Sequence, residues 1–376
     1  MPEESNAIPA SPINLAQAIE RIGPADAEAM SRAEARQLNL TKPPGSLGRL
    51  EEVSIRLAGI FGTERPSIGG KAVIVAAGDH GVVAQGVTGY PQEVTAQMVL
   101  NFLAGGAAIS VMCRRLGIRQ VIVDAGVATD LPDSPELRSL KIGRGTADIS
   151  QGPAMPRAQA IRCLEAGINL AVEVVESGVD LLATGDMGIG NTTASSAVTS
   201  AATGRPPEET TGEGTGRTPE ELRHKIGVVR TALEVNAPDA NDGVDLLAKV
   251  GGFEIGVLAG VVLGAAMMRR PVIVDGFISG AAALAANAIC PAARDYMLPS
   301  HVSAERGHRA ALSGLGMTPL LDLGMRLGEG TGAALAMPIV EAAAATLSEM
   351  ATFAEAGVSD REPDADLDSP LPPGDG

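Results

Sequence analysis

The sequence predicts an α/β fold with a doubly wound, mainly parallel β-sheet. Short runs rich in β-branched residues alternate along the chain with longer segments of helical periodicity. The short runs lack strict alternation of apolar and polar residues, as is typical of strands that helices cover on both faces. Glycine-rich polar loops follow most of these runs. Such alternation of strand and helix implies right-handed βαβ crossovers around one sheet.

The individual elements are predicted from the apolar runs and from the periodic segments between them. Strands are expected at 71–76, 120–123, 179–183, 271–274, 296–302 and 320–323. Helices are expected at 91–116, 157–177, 218–235, 253–268, 279–289 and 332–355. Because open α/β sheets bind ligands at the carboxyl ends of their strands, the polar loops predict one ligand site at that edge.

The composition excludes several classes of protein. The 376 residues include 29 Lys and Arg against 45 Asp and Glu, which gives a formal net charge of −16. This acidic balance argues against nucleic-acid binding, because phosphate backbones require a clustered basic face. The absence of Trp, with only two Tyr and five Phe, leaves few rings on which bases could stack. A hydrophobic content of 45% argues against disorder of the whole chain.

The chain ends and the cysteines indicate a soluble, cytoplasmic protein. Residues 1–12 are polar and 359–376 hold six acids and one Arg, so both ends are expected to be flexible or disordered. No apolar signal region opens the sequence, and its three Cys form no C-x-x-C pattern. The apolar segments 255–268 and 276–293 are too short or too interrupted to cross a bilayer, which predicts buried helices and no membrane partner.

The loop 185–193 is the strongest candidate for an anion site. Gly188 and Gly190 permit a tight turn, and Asn191 and Thr192 supply donors at the start of a helix. Exposed amides and the helix dipole favour a phosphate there. An ordinary strand-to-helix turn with capping residues is the alternative. The loop matches neither a Walker motif nor G-x-G-x-x-G. A phosphate site here is therefore compatible with a mononucleotide ligand and does not require ATP or NAD.

Two further motifs suggest chemistry, each with a structural alternative. The G-x-G-T pattern that contains Gly214 precedes a helix carrying Lys225, which could reach a phosphate or could be a solvated surface residue. Glu329 stands between two glycines before a long helix. Its pKa could rise to suit a general base, or its charge could simply favour the helix N-terminus. His301, Glu305 and His308 lack the spacing of a metal motif, so no metal and no cofactor are expected.

In series, these motifs resemble the nicotinate-nucleotide–dimethylbenzimidazole phosphoribosyltransferase family. The resemblance covers about residues 38–356, and each motif alone is much less specific than the set. The matching segments are KPPGSLGRLE (42–51), AGDHGV (77–82), YPQEVT (90–95), GDMGIGNTT (185–193), 212–216 with Lys225, VDGF (274–277), SHVSAERGH (300–308) and LGMRLGEGTG (323–332).

The resemblance implies a homodimer with a Rossmann-like catalytic domain at 71–332. A small helical subdomain would combine 13–70 with 333–358. The implied reaction transfers 5-phosphoribose from nicotinate mononucleotide to 5,6-dimethylbenzimidazole and forms α-ribazole 5′-phosphate. Another acceptor base, or a non-catalytic mononucleotide-binding regulator, is the alternative.

The resemblance also assigns roles to residues of this sequence. It makes Glu329 the general base and Asp186 a second catalytic acid, at a position where some members carry Glu. The remaining roles are phosphate or ribose binding by Gly188, Ile189, Gly190, Asn191, Thr192, Gly214 and Lys225, and a base pocket with Tyr90, Gln97 and Met98.

Overall fold

A parallel sheet of six strands lies at the centre of the computed structural model, which describes residues 12–212 and 218–359. The strands are β1 (Lys71–Gly78), β2 (Arg119–Gly126), β3 (Leu137–Ser139), β4 (Leu181–Met187), β5 (Val272–Val274) and β6 (Met297–Pro299). Their order in the sheet is β3-β2-β1-β4-β5-β6, so the direction of winding reverses between β1 and β4. This is the doubly wound order of Rossmann-like folds, and the α/β prediction is confirmed.

The described residues form fifteen α-helices. They are α1 (Leu15–Arg21), α2 (Ala27–Asn39), α3 (Arg49–Phe61), α4 (Val94–Leu103), α5 (Ala108–Leu116), α6 (Arg157–Glu176), α7 (Asn191–Thr203), α8 (Pro207–Thr210), α9 (Pro219–Asn236), α10 (Gly243–Val250), α11 (Phe253–Met267), α12 (Phe277–Ile289), α13 (Arg306–Leu315), α14 (Thr331–Glu349) and α15 (Phe353–Ala356). Short 3₁₀ helices span Gly81–Gln85 and Pro291–Tyr296.

The central strand β1 is apolar throughout because helices cover both of its faces. Successive side chains of a strand point to opposite faces of the sheet. Ile74 and its neighbours two residues away pack with α6 and α11, whereas Val73 and Val75 pack with α5 and α14. A strand buried on both sides reads as a continuous apolar run, which is why the sequence predicted it well.

Glycines let α6 and α11 approach each other closely on one face of the sheet. A Cβ added at Gly167 would lie 2.0 Å from the carbonyl oxygen of Val257. A Cβ added at Gly260 would lie 2.2 Å from the carbonyl oxygen of Leu164. These helices therefore pack backbone against backbone, and all fifteen residues of α11 are buried.

Several element boundaries differ from the predictions. The helix predicted at 91–116 is divided into α4 and α5, because Gly105 adopts a left-handed conformation with φ of 74°. The segment 320–323 is no strand; only Leu321 makes an isolated bridge, to His301. The strand predicted at 179–183 is β4, which begins at Leu181 and continues to Met187. The three-residue edge strand β3 was not predicted, since it is too short to show a pattern.

Within residues 12–212 and 218–359, two apolar segments are long enough by length and composition to cross a membrane, namely Val94–Leu116 and Thr331–Glu349. The first is interrupted between α4 and α5, and the second contributes Ala336, Met337 and Val340 to the core beneath the sheet. Of the two segments predicted to be buried helices, 255–268 lies almost wholly within α11, and 276–293 contains α12.

The two ends of the described chain meet beside the sheet. Ala33 of α2 and Ala58 of α3 form a small apolar cluster with Leu347 of α14. The guanidinium of Arg36 donates to the carbonyl oxygens of Leu347 and Met350 over 2.7 and 2.8 Å. A subdomain made of 13–70 and 333–358 stays a prediction. The predicted flexible ends, except residue 12 and residue 359, lie outside the described residues.

Candidate active site

A cavity of about 470 Å³ opens at the carboxyl edge of the sheet, where the winding reverses between β1 and β4. Its wall is formed by the end of β4, the starts of α7 and α12, the segment before α13 and the segment before α14. The residues of interest that line it are Tyr90, Met98, Asp186, Gly188, Ile189, Asn191, Thr192, His301, Glu305 and Glu329. Ligand sites of doubly wound folds occur at such a switch point.

Glu329 lies in this wall with an unusual backbone. Gly328, Glu329 and Gly330 have φ values of 85°, 61° and 89°, all in the left-handed region. Residues with a Cβ rarely adopt this conformation, which costs roughly 1–2 kcal/mol. The side chain is only 5% exposed, and one carboxylate oxygen accepts a hydrogen bond from the amide of Ile109 over 3.4 Å. Burial raises the pKa of Glu329, and the Ile109 amide opposes this rise.

Asp275 supports the backbone on the helix side of Glu329. It follows β5 and is 1% exposed. Its two carboxylate oxygens accept hydrogen bonds from the amides of Gly330, over 3.1 Å, and Ala333, over 2.8 Å. Burial raises the pKa of Asp275 to about 7, although the Ala333 and Gly330 amides oppose the rise. No role was predicted for Asp275 from the sequence, where its signals are its position directly after a strand and its place in the VDGF segment.

Asp186 brings a second carboxyl group to the cavity. A Cβ added at Gly328 would lie 3.2 Å from both carboxylate oxygens of Asp186, so Asp186 is next to the Glu329 turn. One oxygen accepts a hydrogen bond from the Asn191 amide group over 2.9 Å, and the other has no partner among the described residues. Burial and then the negative charge of Asp275 raise the pKa of Asp186 well above its ordinary value.

The predicted anion loop connects β4 to α7 and contributes to the same wall. Gly188 and Ile189 line the cavity, and Gly190 turns the chain into α7 with φ of 92°. Gly188 approaches the end of β1 so closely that an added Cβ would lie 2.4 Å from the carbonyl oxygen of Gly78. The amide of Ile189 donates to the hydroxyl of Thr95 over 3.0 Å. The N-terminus of α7 therefore faces the cavity.

Lys225 reaches this loop from α9. Its side chain is 1% exposed, and its Nζ donates hydrogen bonds to the Thr192 hydroxyl over 2.8 Å and to the Gly212 carbonyl over 3.5 Å. Thr192 lines the cavity, whereas Lys225 does not line the cavity and contacts Thr192. Lys225 is thus no solvated surface residue. Gly214, which was predicted to help bind phosphate, lies outside the described residues.

The residues predicted for a base pocket divide between the cavity and the surface. Tyr90 and Met98 line the cavity, and Val94 lines it as well, one helical turn before Met98 on α4. Gln97 lies on the same helix but is exposed and does not line the cavity. The four-residue spacing of Val94 and Met98 was the signal that sequence reasoning missed.

The histidines near the cavity have structural partners. Nδ1 of His308 accepts a hydrogen bond from the Ser303 amide over 2.9 Å, and burial lowers the pKa of His308 to about 3. Nδ1 of His301 lies 2.8 Å from the Ser300 hydroxyl. In the part of the chain that the structure describes, no three His, Cys, Asp or Glu side chains are grouped to hold a metal ion.

A buried ion pair lies beneath the glycine loop. Nε2 of His80 and a carboxylate oxygen of Glu254 are 2.7 Å apart, and the two side chains are 1% and 0% exposed. Burial lowers the pKa of His80, but the charge of Glu254, its hydrogen bond and the charge of Asp79 together outweigh burial and raise the pKa overall. Asp79, next to His80 in the chain, accepts a hydrogen bond from the Ala128 amide over 2.7 Å. Sequence reasoning missed the His80–Glu254 pair.

Comparison with known proteins agrees with this geometry. A family described as phosphoribosyltransferase matches residues 22–358. The nicotinate-nucleotide–dimethylbenzimidazole phosphoribosyltransferase of Chloroflexus aggregans is 60% identical over 348 residues, which are 93% of this chain and 99% of that protein. The protein of the same name from a Roseiflexus species is 59% identical over 345 residues, covering 92% of this chain and 98% of the relative.

A solved structure shows the same fold. The crystal structure of the corresponding enzyme from Thermus thermophilus is 48% identical and superimposes with a TM-score of 0.85. The aligned region covers 89% of this chain and 100% of the chain in that crystal structure. The resemblance inferred from the motifs is confirmed by these matches. With a family match over most of its length and relatives near 60% identity, the chain belongs to the nicotinate-nucleotide–dimethylbenzimidazole phosphoribosyltransferases.

Proposed function

We propose that this chain transfers the 5-phosphoribosyl group of nicotinate mononucleotide to 5,6-dimethylbenzimidazole. The products are nicotinate and α-ribazole 5′-phosphate, the nucleotide of the lower ligand of cobalamin. The observation that carries the proposal is that two buried carboxyl groups, those of Glu329 and Asp186, line the same cavity as the N-terminus of α7. The family and its relatives' names support the same reaction.

The phosphate end of the substrate fits the α7 side of the cavity. A helix N-terminus carries partial positive charge and donor amides, and both favour an anion. Thr192 and Lys225 add a hydroxyl and an ammonium group joined by a 2.8 Å hydrogen bond. We assign phosphate and ribose binding to Gly188, Ile189, Gly190, Asn191, Thr192, Gly214 and Lys225. Binding the phosphate away from the reacting bond orients the ribose.

Bond breaking occurs at C1′ of the ribose. The C1′–N bond to the pyridinium ring breaks, the electron pair stays with nitrogen, and neutral pyridine nitrogen leaves without needing a proton. Positive charge develops on the ribose as this bond lengthens. The Asp186 carboxyl can stabilise that charge electrostatically. Its pKa is raised in the free protein, and the positive charge of the bound substrate favours its ionised form.

Bond making requires the loss of one proton from the acceptor. One benzimidazole nitrogen attacks C1′ while the N–H of the other nitrogen gives its proton to Glu329. Attack from the face opposite to nicotinate inverts C1′ from β to α. A carboxylate with a raised pKa is a better base than an exposed glutamate, which suits Glu329 to this step. Glu329 then releases the proton to water.

The acceptor fits the apolar side of the cavity. Tyr90, Val94 and Met98 provide a surface for a flat ring, whereas Gln97 lies on the exposed side of α4. A different lower-ligand base would use the same wall, and a mononucleotide-binding regulator would bind without transfer. We propose Tyr90 and Met98 as base-pocket residues, with Gln97 at most at its entrance.

The test measures nicotinate release from nicotinate mononucleotide with and without 5,6-dimethylbenzimidazole, and identifies the product anomer by NMR. We expect release that depends on the acceptor and an α-nucleotide product. Release without acceptor would indicate a hydrolase. Binding without release would indicate a regulator. A mixture of competing bases, with products identified by mass, would reveal a different preferred acceptor.

We further propose that the protein acts in the cytoplasm as a homodimer, with no nucleic-acid or membrane partner. The support is the family membership, the acidic charge and the burial of the apolar helices α11 and α12. Light scattering after size-exclusion chromatography would give the mass, which we expect to be twice that of one chain. A mass of one chain at working concentration would contradict the dimer.

A further inference from the structure

Glu329 has a backbone that its own residue type disfavours. Its φ of 61° lies in the left-handed region, and the two glycines that flank it have the same type of conformation. A glutamate left to itself prefers other backbone conformations by roughly 1–2 kcal/mol. Strain of this kind persists only where surrounding contacts hold it, and it concentrates at functional sites. The contacts that hold this turn therefore control where the Glu329 carboxylate points.

Two contacts hold the turn, and they come from the ends of two neighbouring strands. Gly185 of β4 lies against it so closely that an added Cβ would be 2.5 Å from the carbonyl oxygen of Glu329. After β5, both carboxylate oxygens of Asp275 accept amides, from Gly330 directly after Glu329 and from Ala333 in the first turn of α14. The first contact is steric and prevents movement toward the sheet. The second is attractive and prevents the turn from unwinding.

Asp275 is itself held in place. The hydroxyl of Ser300 donates to the carbonyl oxygen of Asp275 over 2.9 Å. Nδ1 of His301 lies 3.9 Å from the nearer carboxylate oxygen of Asp275, and the His301 side chain is 3% exposed. Asp275 does not line the cavity, so it does not contact a bound substrate there. Its effect on Glu329 is therefore exerted through the backbone that it caps, and its charge also acts on Asp186.

We propose that Asp275 is a positioning residue for the transfer reaction: by accepting the Gly330 and Ala333 amides it keeps Glu329 in the left-handed conformation that places this residue in the wall of the cavity, with its carboxylate at the Ile109 amide. This inference rests on the proposed role of Glu329 as the general base. A carboxylate suits the task because it offers two acceptor oxygens to two amides and favours the positive end of α14. An amide side chain has one acceptor oxygen and presents N–H groups to the second backbone amide.

The first experiment replaces Asp275 by Asn. We expect kcat to fall about tenfold to a hundredfold, the effect expected when a hydrogen bond to a charged group is lost. The KM for nicotinate mononucleotide should change less than about threefold, because the phosphate binds at α7 and not at this turn. Rates are normalised to folded protein, measured by binding of nicotinate mononucleotide. An unchanged kcat in folded Asp275→Asn would overturn the proposal.

The second experiment separates positioning from general damage to the fold. If Asp275 acts through Glu329, adding Asp275→Asn to Glu329→Gln should change kcat less than about threefold, since the base is already absent. Losses that multiply would overturn the proposal. If Glu329→Gln alone keeps a normal kcat, the proposed role of Glu329 fails instead, and the two failures are thereby distinguished.

Two further variants complete the comparison. Asp124→Asn is the matched control, because Asp124 is also buried at the carboxyl end of a strand and accepts the Val127 amide over 2.9 Å, away from Glu329. We expect it to keep the parent kcat. Should Asp275→Asn fail to fold, Asp275→Ser keeps one acceptor oxygen and undergoes the same pair of measurements. A loss of kcat in Asp124→Asn equal to that in Asp275→Asn would also overturn the proposal.

Discussion

The ammonium nitrogen of Lys225 lies 2.8 Å from the hydroxyl oxygen of Thr192, and this hydrogen bond joins the middle of α9 to the first turn of α7. The two residues are 33 positions apart in the chain. The bond brings a buried positive charge to the helix N-terminus that faces the cavity. Charge and helix dipole therefore favour an anion at the same place.

Replacing Lys225 by Met removes this charge while keeping an unbranched side chain. The KM for nicotinate mononucleotide should rise about tenfold to a hundredfold, because Lys225 supports the phosphate from behind Thr192 and a hydrogen bond to a charged group contributes about 1.5–3 kcal/mol. The KM for 5,6-dimethylbenzimidazole should stay nearly constant. Lys249→Met, which removes a surface lysine paired with Asp245, is the control. A rise in the benzimidazole KM instead would assign Lys225 to the acceptor.

Replacing Glu329 by Gln keeps the shape of the side chain and removes its basic oxygen. We expect kcat to fall by about 10²–10⁴, the usual range for a general base, with small changes in substrate binding. At high pH, where some acceptor has lost its proton in solution, the variant should recover part of the deficit. A near-normal kcat at neutral pH would contradict the assignment, and Asp186 would be the next residue to replace.

The pH profile of the parent enzyme tests the raised pKa of Glu329. The general base must be ionised, so kcat/KM of the parent should fall as pH decreases through the pKa of the free enzyme. Because burial raises the pKa of Glu329, this fall should be centred above the ordinary glutamate value of 4.5. Glu329→Gln should lack this acidic limb. A limb that remains at the same pH in the variant would assign it to another group.

Gly185→Ala tests the steric contact behind the Glu329 turn. The new Cβ would lie 2.5 Å from the carbonyl oxygen of Glu329, and that contact is with backbone that cannot easily move. We expect kcat to fall, together with a loss of roughly 1–3 kcal/mol in the free energy of unfolding, as for other overpacked positions. Gly152→Ala is the control, since a Cβ there meets no atom within 4 Å. Urea denaturation and kcat would both be measured, and parent-like values for Gly185→Ala would contradict the expectation.

The buried His80–Glu254 pair predicts a pH-dependent stability. A His whose folded pKa is raised contributes stability that is complete below the unfolded pKa of about 6.5 and is lost as pH rises through the folded pKa. The free energy of unfolding of the parent should therefore decrease over this range above pH 6.5. His80→Gln should lack this decrease and lose about 3–5 kcal/mol at pH 6, because the buried Glu254 carboxylate is left without a cationic partner. A parent stability that is flat with pH would contradict the charged pair.

Much of the fold could be predicted because β1 and β2 are covered on both faces and therefore read as continuous apolar runs. The later part of β4 could not, since Gly185 and Asp186 are poor strand formers that the neighbouring strand β1 holds in register. Tertiary pairing outweighed local preference there. The division of α4 from α5 depended on a single left-handed glycine, a conformation that Gly105 permits but does not require.

The candidate site could be predicted where the local sequence marks it. The glycine loop follows β4, and Glu329 stands between two glycines before α14; the structure brings both to one cavity. The residues that support them have no such local signal. His80 and Glu254 are 174 positions apart, and Asp275 caps amides 55 and 58 positions away. No periodicity relates residues at such separations, so a single sequence contains no signal that pairs them.

The strand order has a consequence for how activity is regained after unfolding. β1 pairs with β4 through Lys71 and Leu181, so the two strands that flank the cavity meet only after a long intervening segment has folded. Closing such a loop costs chain entropy before any contact compensates, and sheets built this way fold slowly. Glu329 joins the site from still farther along the chain. Recovery of catalysis should therefore be the last signal to return on refolding, later than helical circular dichroism, and no fragment that lacks α14 should show it.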